Sequence, residues 1–171
     1  MRFLSYLTAL AFPFVVMSQL PHSNNNLGST PAQRHIIDQN QALAVVNAAA
    51  AQAVNISSPS NIAVVDPSGL LVAFLRTDNA FLGSIDISQR KARTVALFNG
   101  AYTTADFYNL TQPGQSLYGI QETNGGLIVF GGGVPIFVDG YFIGAVGVSG
   151  GTTDQDIDIA TAGVEAIGSV S

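Results

Sequence analysis

Residues 124–151, NGGLIVFGGGVPIFVDGYFIGAVGVSGG, restrict the fold more than any other part of the chain. They hold a large share of its 18 glycines. Residues 134–138 and 141–148 are dense in β-branched and aromatic side chains, and Asp139-Gly140 stands between them. A two-residue Asp-Gly loop matches the twist of paired strands, because Gly tolerates the positive φ that such a turn requires. The stretch therefore predicts a β-hairpin. Glycines before and within it cost backbone entropy, which predicts close approach by a ligand or by another piece of chain.

The rest of the chain supplies partners for that hairpin. Pro31, with Thr30 as a cap, opens an Ala-rich helix over 32–54, ended by the 55–60 segment with Pro59. Residues 61–66 and 70–75 read as two strands joined by the Asp66-Pro67-Ser68-Gly69 turn. Ser84 caps a helix that runs to Phe98 and stops at Asn99-Gly100. Thr103 or Thr104 starts a short helix over 105–110. Residues 112–126 are irregular and 127–130 form a short strand. Thr152 and Gln155 fit a capping box for a last helix, with Asp154, Asp156 and Asp158 near the positive end of its dipole. This order predicts one α+β domain over 31–171, with a mostly antiparallel sheet of about five strands covered by helices.

Composition narrows the classes of function. At 171 residues the length suits a single domain. Only 10% of residues are charged, against 47% hydrophobic, which predicts surface buried in a homo-oligomer or covered by glycans. A net charge of −5 argues against nucleic acid, since only Arg90, Lys91 and Arg93 cluster. No cysteine is present, so disulfides and thiolate chemistry are excluded. Arg2 followed by the apolar run 3–16 reads as a signal peptide cleaved after Ser18, with 19–30 a flexible lead-in. Asn55-Ile56-Ser57 and Asn109-Leu110-Thr111 are glycosylation sequons, which fit a secreted glycoprotein. No later stretch is long and apolar enough for a membrane helix.

Familiar catalytic devices are missing. Only His22 and His35 could act as a base in the mature chain, and no G-x-S-x-G, H-E-x-x-H or Walker motif occurs. Asp154, Asp156, Asp158 and Glu165 superficially fit a calcium loop, but Ile159 stands where that loop needs glycine. The reading is therefore of no metal. His35 is a weak candidate for an axial ligand to haem or cobalt, against a plain surface histidine in a first helical turn. Arg76, Asp78, Lys91 and Glu122 stand out because charges are so few. They could bind a carboxylate or move a proton, or they could be structural ion pairs bracing a loop.

The runs NIAVVDPSGLLVAFLRTDNAFLGSIDISQRKARTVALF and NGGLIVFGGGVPIFVDGYFIGAVGVSGGTTDQDIDIATAGVEAI closely resemble the GlcG/HbpS-like haem-binding family. The resemblance implies an α+β domain, assembly into higher oligomers, and haem or a related tetrapyrrole as a ligand. The corresponding pocket would lie between the 76–83 loop, the 112–126 loop and the glycine-rich hairpin. Phe81, Tyr118 and Phe130 would give it an apolar floor. Arg76 and Lys91 would anchor acid groups, and the backbone of Gly132 and Gly133 would face a ligand or a neighbouring subunit. A second reading is a metal-independent tailoring enzyme, an isomerase or cyclase of secondary metabolism, with Asp78, Lys91 and Glu122 as acid and base. A third is an extracellular structural oligomer.

Overall fold

The computed structural model describes residues 35–171. The signal peptide, the lead-in, His22 and the Thr30-Pro31 cap lie outside the described residues.

The first helix, α1 (Gln39–Asn55), starts later than residue 32. Asp38 and Gln41 form a reciprocal capping box, which satisfies two of the free N–H groups at the helix start. Residues 35–38 are not helical, and Ile37 donates its N–H to the Ile143 carbonyl and buries its side chain. His35 is thus not in a helical first turn; its ring stacks on Tyr141 at 4.1 Å.

Strands β1 (Asn61–Val65) and β2 (Leu71–Arg76) form the first hairpin. Its turn is held by Asp66, whose carboxylate accepts from the N–H groups of Ser68 and Leu70. Helix α2 (Ser84–Leu97) follows, then α3 (Asp106–Leu110). Ser84 is the first helical residue of α2 rather than its cap, and Gly83 precedes it without a capping side chain. Thr103 and Asp106 bond reciprocally at the start of α3.

Strands β3 (Gly133–Val138) and β4 (Tyr141–Ser149) are the predicted second hairpin. Asp139 and Gly140 take φ of 51° and 79°, as the tight turn demands. Helix α4 (Thr153–Glu165) begins at the predicted Thr152–Gln155 capping box.

The sheet has four strands in the order β2-β1-β4-β3, all antiparallel neighbours. The expected fifth strand, 127–130, does not pair. The Leu127 and Ile128 N–H groups go to the Gln121 carbonyl and to Thr94 Oγ1 of α2. The outer edge of β3 is met instead by the C-terminal tail, through Phe137 and Ser169.

Alternation along the strands assigns the two faces. Ile62, Val64, Val146 and Val148 join Val45, Ala49, Ile159 and Val164 in the main core under α1 and α4. Val65 and Ala145 face the other way and pack with Ala92, Val95 and Ala96 of α2. At Gly147 the backbone of α2 lies so close that a Cβ would collide with the Ser88 carbonyl. That approach sets α2 directly on β4 and positions the site described next.

Candidate functional site

Helix α2 buries one face, containing Ser84, Ser88, Lys91, Ala92 and Val95. Lys91 is the charged residue in a face spaced for packing, and its side chain is fully enclosed. Its ammonium donates to Asp156 Oδ2 at 2.7 Å and to the Val148 carbonyl at 2.8 Å. It also sits 4.9 Å from the centre of the Phe130 ring. Asp156 Oδ1 accepts from the Gly151 N–H at 3.0 Å. The pair therefore ties α2, the end of β4 and the first turn of α4 into one clasp.

Burial dominates the electrostatics of this clasp. It lowers the Lys91 ammonium from its ordinary pKa and raises the Asp156 carboxyl, while their mutual hydrogen bond and attraction oppose both shifts. Enclosing two charges is costly, and their own contact together with the Val148 carbonyl and the Gly151 N–H offsets that cost.

Gly132 and Gly133 line the clasp. A Cβ on Gly132 would lie 2.6 Å from the Lys91 ammonium nitrogen and 2.7 Å from the Val148 carbonyl oxygen, and its φ is +119°. The Gly132 carbonyl accepts from Val148 N–H, and Gly133 N–H donates to Thr104 Oγ1. The Gly132 carbonyl and the Gly133 N–H are thus bonded inside the fold rather than turned to a ligand or another subunit, and Gly132 makes room for Lys91.

The role expected of Lys91 changes for the same reason. It is no rim anchor for acid groups, since its ammonium is enclosed and bonded to Asp156 and Val148. Of the two roles open to the scarce charges, structural pairing and chemistry, the geometry of Lys91 is a structural pair. Its partner is Asp156, an acid of the first turn of α4. Asp78 is exposed beside the C-terminal end of α1, and Glu122 is exposed on the short 3-10 turn Ile120–Glu122. Neither meets Lys91 among the described contacts, so the three are not assembled as an acid–base set.

The remaining candidates fall at two ends of the sheet. Arg76 pairs with Asn61, and Asn61 with Ser149, at the end next to the start of α2. There Asn61 donates its side-chain N–H to the Phe81 carbonyl, and Phe81 and Leu82 turn outward, 70% and 72% exposed. His35 lies against Tyr141 at the other end of β4. Eight residue steps separate Tyr141 from Ser149, about 27 Å at ~3.4 Å each. His35 and Arg76 are out of reach of one macrocycle in a single chain.

The 112–126 loop reaches α2 at its middle. Arg90 and Arg93 donate to the carbonyls of Gly125 and Asn124, both at 2.9 Å, and Arg90 also pairs with Asp86. All three predicted walls of a pocket therefore meet α2. Tyr118 is exposed on that loop, and Phe130 is half-buried over Lys91. Among the described residues no group of three or more His, Cys, Asp or Glu could hold a metal ion, and no helix is long and apolar enough to cross a membrane.

Known proteins of similar sequence agree with this architecture. The 15.0 kDa protein of the dhaT–dhaS intergenic region of Citrobacter freundii is 43% identical over 113 residues, 66% of this chain and 78% of its own. The corrinoid adenosyltransferase PduO of Salmonella typhimurium is 32% identical over 155 residues, 90% of this chain but 44% of its own length. The chain thus spans less than half of that enzyme. The crystal structure of a PduOC:heme complex superposes with a TM-score of 0.72 at 31% identity, covering 77% of this chain and 95% of that one. The model of the family "Haem degrading protein HbpS-like" matches residues 37–165, and the chain belongs to that HbpS-like family.

Proposed function

We propose that this protein binds haem or a related tetrapyrrole, as a secreted homo-oligomer. The observation that carries the reading is the likeness to the PduOC:heme complex over nearly the whole of that chain. The surface at the start of α2 suits such a ligand. Phe81 and Leu82 offer exposed apolar faces, and the neighbouring exposed Arg76 offers a guanidinium for a propionate. Exposed Leu70 and Leu71, just before and at the start of edge strand β2, support assembly between copies. Asn55 and Asn109 are both exposed, as glycosylation of a secreted chain requires.

Haemin titration of the purified protein, followed at the Soret band, tests the reading. A saturable shift is expected, weakened by Arg76→Ala or Phe81→Ala and unchanged in His35→Ala. A wild-type spectrum that is only that of free haemin would overturn it.

A further inference from the structure

A cavity opens where α1 ends and β2 leaves the sheet, lined by residues other than those of the clasp and other than Arg76, Phe81 and Leu82. The cavity there measures about 390 Å³, within the roughly 300–1,000 Å³ of small-molecule sites. Ala53, Val54 and Pro59 supply its apolar walls, and Val54 is 76% exposed. The rim is rigid. Ser57 holds a left-handed conformation at φ 53°, and Ser58 N–H is bonded back to the Ala53 carbonyl. Thr77 Oγ1 donates to the Ser60 carbonyl and accepts from Ser60 N–H.

Asp78 is the charged group on this lining, and it follows directly from the fixed Thr77. The ion pairs among the described residues are Arg90–Asp86 and Lys91–Asp156, so Asp78 forms none there. An uncompensated carboxylate beside apolar walls, on a chain of net charge −5, selects a cation that carries hydrocarbon. A bare metal ion would find one carboxylate and no further charged ligand. We propose that this cavity binds a small organic ammonium, its alkyl or aryl part against Val54 and Pro59 and its nitrogen donating to the Asp78 carboxylate. The ligand binds reversibly and no bond is made or broken. The inference does not depend on tetrapyrrole binding.

Calorimetric titration of the full chain with octylammonium, and with 1-octanol as its neutral counterpart, tests it. Octylammonium is expected to bind about fivefold tighter than octanol, the size of an ion pair to an exposed carboxylate. Asp78→Asn, an exposed and nearly isosteric change, removes that preference while octanol binding stays. Val54→Lys places a like charge at the mouth and weakens octylammonium severalfold, with added salt moving wild type in the same direction. Absence of binding, equal binding of the two probes, or a preference that survives in Asp78→Asn would each overturn the proposal. Because haemin is not a reagent here, failure of this site and failure of the tetrapyrrole site are read separately.

Discussion

The Lys91 ammonium and the Asp156 carboxylate, 65 positions apart in the chain, meet at 2.7 Å with both side chains out of water. Their contact joins the two helical layers through the end of β4, because the same ammonium holds the Val148 carbonyl. The glycines at 132 and 147 are what allow it, one leaving space for the ammonium and the other letting α2 settle on the strand.

Breaking the pair from one side should cost far more than removing it. Lys91→Met strands a buried carboxylate and is expected to lose about 3–5 kcal/mol of unfolding free energy. The double variant Lys91→Met with Asp156→Leu removes both charges and should recover most of that loss. Urea denaturation of the three proteins measures the difference. A double variant no more stable than Lys91→Met would show that the clasp contributes more than its desolvation costs.

The pair should also leave a signature in pH. Burial raises the Asp156 carboxyl above its ordinary 3.8, so the folded chain binds more protons than the unfolded one between 3.8 and the raised value. Asp156 therefore contributes stability that is fully present below 3.8 and is lost as pH rises through its folded pKa. Asp156→Asn has no proton to take up. Urea midpoints of wild type minus those of Asp156→Asn should fall as pH rises through that window, and a flat difference would contradict the shift.

Gly132→Ala is expected to destabilise the fold by about 2–5 kcal/mol, combining positive-φ strain with overpacking against Lys91 and Val148. Gly114→Ala makes a useful contrast. Its φ is +85°, but a Cβ there meets nothing within 4 Å, so only the strain of about 1–2 kcal/mol remains. Thermal unfolding of the two variants separates a steric from a purely conformational requirement.

Arg90→Ala and Arg93→Ala should loosen the 112–126 loop with little effect on global stability. Each arginine is on the surface of α2, where an ion pair or hydrogen bond contributes under about 1 kcal/mol. Their bonds to Gly125 and Asn124 nevertheless tie the loop to the helix. Amide exchange is expected to rise in residues 119–126 while the core strands keep their protection.

The sequence by itself determined the local structure. Asp139-Gly140 between two β-rich runs meant a hairpin, Thr152 with Gln155 meant a helix start, and the resemblance to the GlcG/HbpS-like family was carried by residues that the fold places in these elements. Where it erred locally, a nearby signal competed. Pro31 and the alanines predict a helix from 32, but residues 35–38 are not helical and the Asp38–Gln41 capping box starts it at Gln39. Residues 127–130 look like a strand, yet Thr94 of α2 takes a donor that a strand would have paired.

Tertiary structure alone decided the partners of the scarce charges. Asp156 shares the apolar face of α4 with Ile159, Ala160, Gly163 and Val164, while Asp154 and Asp158 do not, so its burial was legible in the spacing. Lys91 likewise lies in register with Ser88, Ala92 and Val95. That these two buried groups meet was not legible, because helical period fixes a residue's face and not what lies across it. The separation of His35 from Arg76 has the same origin: it depends on which ends of β1 and β4 pair, a matter of strand register between segments distant in sequence.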